Sequence, residues 1–189
     1  MRRRLIYSLL ASSFIGGGAP AIAETYTLTP ATSTIAFQGT HAENPFQGTF
    51  RQWSAEVTWL PENLTASRIS ATIVTGSANT GNAMYDGTLP TADWFNTAQF
   101  PTATFQSTRI TSTTTAGTYR AEGTLTVRGQ THAVTLPFTV TPAANGVQAT
   151  ATLPLNRLTL GLGQQSDPKA EWVGPTISLT FTLHGTKAR

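Results

Sequence analysis

Few side chains in this 189-residue chain could do bond-making chemistry. Cysteine is absent. The three histidines, His41, His132 and His184, stand far apart in sequence, and two of them fall in phase with apolar strand residues. Histidines on neighbouring strands could converge on zinc, but neither cysteine nor carboxylate accompanies them at ligand spacing, so no metal is expected. The sequence holds no G-x-S-x-G elbow, H-E-x-x-H, Walker loop or dinucleotide fingerprint, which argues against an enzyme and against a bound cofactor. What it does supply in quantity is apolar side chains at regular spacing, whose chemical capacity is to exclude water.

The elements that would position them are strands. Threonine is the commonest residue, at 36, and its β-branched side chain suits a pleated, half-solvated surface. In HAVTLPFTV, His132, Val134, Leu136, Phe138 and Val140 face one way, and Ala133, Thr135, Pro137 and Thr139 the other. Pro137 has no N–H for the ladder, so this strand is expected to bulge or to border a gap. Similar one-sided series run through Tyr119, Ala121, Gly123, Leu125 and Val127, and through Ile177, Leu179, Phe181 and Leu183. Ile69, Ala71 and Ile73 make a shorter set.

Two segments switch phase. Phe46, Gly48 and Phe50 give way to Trp53, Ala55, Val57 and Trp59, and the series Val147 to Leu155 gives way to Leu158, Leu160 and Leu162. A one-residue slip is what a bulge produces, and bulges bend strands into barrels. The pattern predicts an all-β, antiparallel fold of about eight strands, the usual size of a small closed barrel that holds one ligand. The stretch from Thr80 to Pro101 does not alternate. Thr91 could cap a short helix over Ala92 to Thr97, which makes this a helical connector laid across a barrel end.

Residues 1–23 read as a cleavable export signal: Arg2, Arg3 and Arg4, then apolar Leu5 to Ile15, then Ala21 and Ala23. Its removal takes three of the twelve basic residues and leaves nine basic against nine acidic in residues 24–189, a single domain. The apparent basicity therefore belongs to the signal. No Lys/Arg cluster is left to neutralise phosphates, which excludes a nucleic-acid partner. No second apolar stretch is long enough for a transmembrane helix.

One ordered set of residues is recognisable. It starts with Ser33, Ile35, Phe37, His41, Gly48 and Phe50, and continues with Thr80-Gly81, Asp86, Leu89, Phe95, Phe100-Pro101, Phe105 and Ser107-Thr108. Gly123, Leu125, Gly129 and Thr131 follow, then Asn156-Arg157 and Gly161. Over residues 26–185 this set resembles the YceI-like family of secreted lipid-binding proteins. The resemblance implies an extended eight-stranded, lipocalin-like antiparallel barrel with a periplasmic address. Its lumen would hold a polyisoprenoid, an isoprenoid quinone or a fatty-acid derivative. The chain departs from the family's pattern at Thr29 and Thr32, where aspartate and histidine are frequent, at Tyr85 in place of an arginine, and at Asn96 in place of an acid.

For such a carrier the candidate wall is Phe37, Phe50, Ile73, Trp94, Phe95, Phe100, Phe105, Leu125, Phe138, Leu158 and Phe181. Each of these could equally be plain core filling. The aromatics from Trp94 to Phe100 would cover one end. The polar candidates that match the family are His41, Asp86 and Arg157. Arg157 could meet a phosphate head group or pair with Asp86 to pin the connector, and the pairing is the favoured reading. The expected function is sequestration of a long amphiphile; the alternative is an interaction module whose barrel is filled. Long strands leave a homodimer open.

Overall fold

The computed structural model describes residues 24–144 and 146–187, so the expected export signal lies outside the described residues. The first strands are β1 (Glu24–Leu28), β2 (Thr34–His41), β3 (Asn44–Phe50), β4 (Trp53–Trp59), β5 (Arg68–Val74) and β6 (Ala78–Asn79). The longer ones are β7 (Thr102–Ser112), β8 (Thr118–Val127), β9 (Gln130–Ala143), β10 (Gly146–Asn156) and β11 (Thr176–Lys187). All pair antiparallel in one sheet, in the order β1-β4-β5-β7-β8-β9-β10-β11-β2-β3-β6. Because β1 pairs with β4 on one side and with β11 on the other, the sheet curls round and closes on itself at one end.

The sequence suggested eight strands where the described residues form eleven. The difference is a crease that cuts three long runs in two. Between β1 and β2 the chain turns, with Ser33 N–H donating to Thr29 O at 3.2 Å. Between β3 and β4, Arg51 N–H donates to Ser77 O at 3.1 Å and Gln52 N–H to Ser77 Oγ at 3.0 Å. Ser77 itself belongs to the 3-10 turn Thr75–Ser77 that parts β5 from β6. Crossing the crease changes which parity faces inward. Tyr26 and Leu28 are buried before it and Ile35 and Phe37 after it, just as Phe50 gives way to Trp53. The phase switch at Phe50–Trp53 is thus a strand break, not a bulge.

The second switch has another cause. Strand β10 ends at Asn156, and the next residues form a tight loop in which Leu162 N–H donates to Arg157 O at 2.9 Å. Leu160 and Leu162 are buried by this loop without being strand residues. A bulge does occur where β7 meets β8, between Ser107 and Arg109. Pro137 borders a gap. Val140 N–H donates to Gly117 O, so the even-numbered amides of β9 face β8 and the odd-numbered ones face β10. Pairing of β9 with β10 stops at Phe138 opposite Ala151, where the next rung would need the N–H that Pro137 lacks.

At the end away from the closure, β6 pairs with β3, and residues 80–101 bridge from it to β7. The helix in this connector is α1 (Ala83–Thr88), capped by Asn82, whose Oδ1 accepts from Met84 N–H at 3.0 Å. The expected helix over 92–97 does not form. Asn96 takes a left-handed backbone (φ 48°), and Phe95 N–H turns back to Leu89 O. Among the described residues no helix is long and apolar enough to cross a membrane.

Candidate functional site

The inward faces of the strands do not meet. They leave a row of three adjoining cavities along the sheet axis. The innermost, of about 130 Å³, lies toward the closed end between β4, β5, β9, β10 and β11. Phe105, Leu125, Phe138 and Phe181 line it, with Trp53 and Trp59. Its floor is an aromatic cluster: Trp59 meets Tyr119 edge-on at 4.8 Å and Phe138 at 6.1 Å, and Tyr119 stacks on Phe138 at 5.4 Å. No charged residue lines this cavity. A space so large with so apolar a wall stays dry, since water needs two to four polar partners to be held.

The middle cavity, of about 90 Å³, sits beyond the crease and is lined by Phe37, Phe50, Trp94, Phe95, Leu160 and Leu162 among others. Ile73, Leu125 and Leu179 belong to both walls, so the two spaces are contiguous. Phe37, Phe50 and Phe95 step across it with centroids 5.2 and 6.0 Å apart. Gly48 makes room for the first of these rings, because a Cβ there would collide with Phe37 Cζ.

Phe46, Leu89 and Trp94 in turn are shared with an outer space of about 270 Å³, the mouth. Its rim combines His41 at the end of β2, Thr80, Met84 and Tyr85 of the connector, and Asp167, Trp172 and Val173 of the loop between β10 and β11. Met84 and Trp172, 68% and 63% exposed, are large hydrophobic side chains left open to solvent on this rim. Here the polar chemistry collects. His41 Nδ1 and Tyr85 Oη are hydrogen-bonded at 3.0 Å, and the Tyr85 ring leans on Phe46 at 5.7 Å.

Arg157 lies at the junction of the mouth and the middle cavity and is wholly buried. Its partner is Asp167, at 2.6 Å, and not the expected Asp86. The guanidinium also donates from Nε to Val173 O at 3.1 Å, from Nη1 to Leu162 O at 2.9 Å and from Nη2 to Val173 O at 2.7 Å. It lies 5.6 Å over the Trp94 ring. Burial pulls the Arg157 pKa down, and the Asp167 carboxylate opposes that pull. For Asp167, burial would raise the pKa, but the N–H groups of Val173, Glu171 and Trp172, together with Arg157, hold it below the usual carboxylate range. One buried ion pair thus ties the loop 157–175 into a single unit.

Asp86 serves the connector. Its Oδ1 accepts from Thr80 N–H and the Thr80 hydroxyl, both at 2.7 Å, and these bonds lower its pKa. Asp93, which the sequence placed in the first turn of the expected helix over 92–97, instead ties the connector to the loop by accepting from Gln165 N–H and Ser166 N–H, each at 2.9 Å.

Most of the wall expected from sequence therefore gathers round the two inner cavities, and His41 stands at the mouth. Phe100 and Leu158 line neither inner cavity nor mouth. Phe100 lies under the β8–β9 turn, where a Cβ on Gly129 would come within 2.9 Å of its ring. Leu158 opens the loop that buries its neighbours. Phe46, Trp53 and Trp59 were in the alternating series and could have been chosen from it. Leu89, Tyr85, Asp167 and Trp172 carry no periodic signal.

A curled antiparallel sheet with an apolar lumen, floored by aromatics at one end and rimmed by polar loops at the other, defines a lipocalin-like class of fold. Within that class the chain belongs to the YceI-like family, whose domain matches residues 26–185. The UPF0312 protein of Ectopseudomonas mendocina (strain ymp) is 32% identical over 146 residues, 72% of this chain and 71% of that protein. Protein YceI of Salmonella arizonae is 31% identical over the same length, with the same coverage. BcnA of Burkholderia cenocepacia superposes with a TM-score of 0.78 at 26% identity, covering 82% of this chain and 98% of that one. A polyisoprenoid-binding domain from Saccharophagus degradans shares the fold with a TM-score of 0.68 at 17% identity, covering 86% and 98%.

Proposed function

We propose that this protein is an exported, periplasmic carrier that sequesters a long-chain amphiphile, such as a polyisoprenoid, an isoprenoid quinone or a fatty-acid derivative, with its tail along the lumen. The observation that carries the reading is the pair of adjoining apolar cavities behind a mouth that carries the polar groups of His41, Thr80 and Tyr85. Affinity would come from apolar area removed from water, at about 25 cal/mol per Å², and needs no reaction. The alternative of a filled barrel serving as an interaction module has the open lumen against it.

Native mass spectrometry of the protein taken from its own periplasm, followed by organic extraction, is the direct test. A co-purifying prenyl or acyl lipid is the expected result. Protein that emerges empty and takes up no fluorescent prenyl probe in a saturable way would remove the carrier reading.

A further inference from the structure

A carrier's tail is set by its lumen and its head group by its mouth. Building on the carrier reading, we infer that the mouth selects an uncharged, hydrogen-bonding head group, an alcohol, phenol, quinone or amide, held by the His41–Tyr85 pair, and disfavours phosphates and carboxylates. The first ground is the fate of the cations. Arg157 is the one charged residue in the wall of the middle cavity, and its N–H groups are spent on Asp167, Val173, Gly174, Leu162 and Gly163. No lysine or arginine lines the mouth among the described residues, and Arg51, the cation that acts on Asp86, donates to Asn79 Oδ1. An anionic head would lose its hydration with no cation to replace it, and burying an unpaired charge is costly. Its neighbours would include the Asp167 carboxylate, and Asp86 behind Thr80.

The second ground is what His41 and Tyr85 leave free. Their mutual bond uses His41 Nδ1 and the Tyr85 hydroxyl, while His41 Nε2 has no partner among the described residues. If the hydroxyl donates to Nδ1, the neutral imidazole keeps Nε2–H; if Nδ1–H donates, the phenol keeps its O–H. Either arrangement leaves one donor at the rim for a ligand oxygen. The bond also fixes the Tyr85 ring against Phe46, whose other neighbours line the path inward. The donor is therefore placed where the tail enters.

Displacement of a fluorescent prenyl probe from delipidated protein at pH 8 tests this, with geranylgeraniol, geranylgeranyl monophosphate and the hydrocarbon phytane as competitors. The alcohol is expected to bind at least about tenfold more tightly than the phosphate, and about fivefold more tightly than the hydrocarbon, the value of one ordinary hydrogen bond. The double variant His41→Leu/Tyr85→Phe should bring the alcohol down to the hydrocarbon's level and leave the hydrocarbon unchanged. Tyr85→Arg, which puts a cation on the rim, should raise phosphate affinity about tenfold. That variant and the wild-type comparison decide the matter even if the double variant does not fold. Equal or tighter binding of the phosphate by the wild type overturns the head-group inference and leaves the lumen reading intact. Failure of all three competitors overturns the lumen reading, and the inference with it.

Discussion

The two ends of the lumen are built on opposite principles. At the closed end every wall element is a strand, no charge lines the cavity, and Trp59, Tyr119 and Phe138 meet as bare rings. Even the buried Trp53 Nε1 is left without an acceptor. At the mouth the wall is mostly loop and connector, and its charged side chains are tied: Arg157 to Asp167, Asp86 to Thr80, Asp93 to Gln165 and Ser166. A sheet satisfies its own backbone and can leave its inner face to hydrocarbon. Loops cannot, so their carbonyls and amides need side chains to close them off from the lumen. A lumen with a dry floor and a shaped rim follows from that division, and each half fails in its own way.

The largest effect is expected at the rim's anchor. Arg157→Ala leaves the Asp167 carboxylate and several carbonyls buried without their donor, which should cost about 3–5 kcal/mol of stability in urea titration. A loss under about 1 kcal/mol would mean that the rim folds independently of the sheet. Next comes the lumen itself. Ala71 lines the inner cavity, and Ala71→Phe should fill it. Prenyl-probe affinity should fall at least about 100-fold, roughly 2.7 kcal/mol, with stability changing by no more than about 1–3 kcal/mol. Unchanged binding would place the ligand outside the closed half.

Acid separates the two ends with a smaller effect. Asp86, Asp93 and Asp167 all have folded pKa values below the ordinary carboxylate value, through Thr80, through Ser166 and Gln165, and through Val173 and its neighbours. Groups lowered in this way contribute fully above their unfolded value of about 3.9 and lose that contribution as pH falls through the folded value. Below about pH 4 the connector and the loop 157–175 should gain amide exchange before β4, β5 and β9 do. Simultaneous loosening of both ends would show that the carboxylates do not govern the mouth.

This division also decides what could be read from the sequence. The closed end is strand, and its period-two alternation put Leu125, Phe138 and Phe181 on the right face. The crease was legible at one of its three places, where bulky Phe50 and Trp53 make the change of parity visible. At Thr29–Ser33 and Thr75–Ser77 the break is a few small polar residues that resemble any turn. The rim was misread because loops have no period. Leu158, Leu160 and Leu162 alternate like a strand, but they lie in a turn, which buries Leu160 and Leu162. Arg157 finds its partner ten residues on in Asp167, which no spacing rule marks, while Asp86 only looked available. Thr91 and Asp93 imitate a helix start, but Thr91 donates to Thr88 O and Asn96 turns left-handed.

The helix that does form in the connector, α1, supports the smallest test. The one helical turn of the connector is started by Asn82, whose Oδ1 takes the N–H of Met84 and approaches that of Tyr85. Asn82→Ala removes a cap worth about 1 kcal/mol. If the mouth is a separate layer on a rigid sheet, the loss should appear as local opening of α1, about fivefold faster exchange at Met84 to Leu89, with little change in thermal midpoint. Because Tyr85 rides on this turn and holds His41, the preference for geranylgeraniol over phytane should shrink while phytane binding stays the same. A drop in both affinities together would instead mean that α1 supports the lumen wall through Leu89, and that the boundary between rim and lumen runs further in than Phe46.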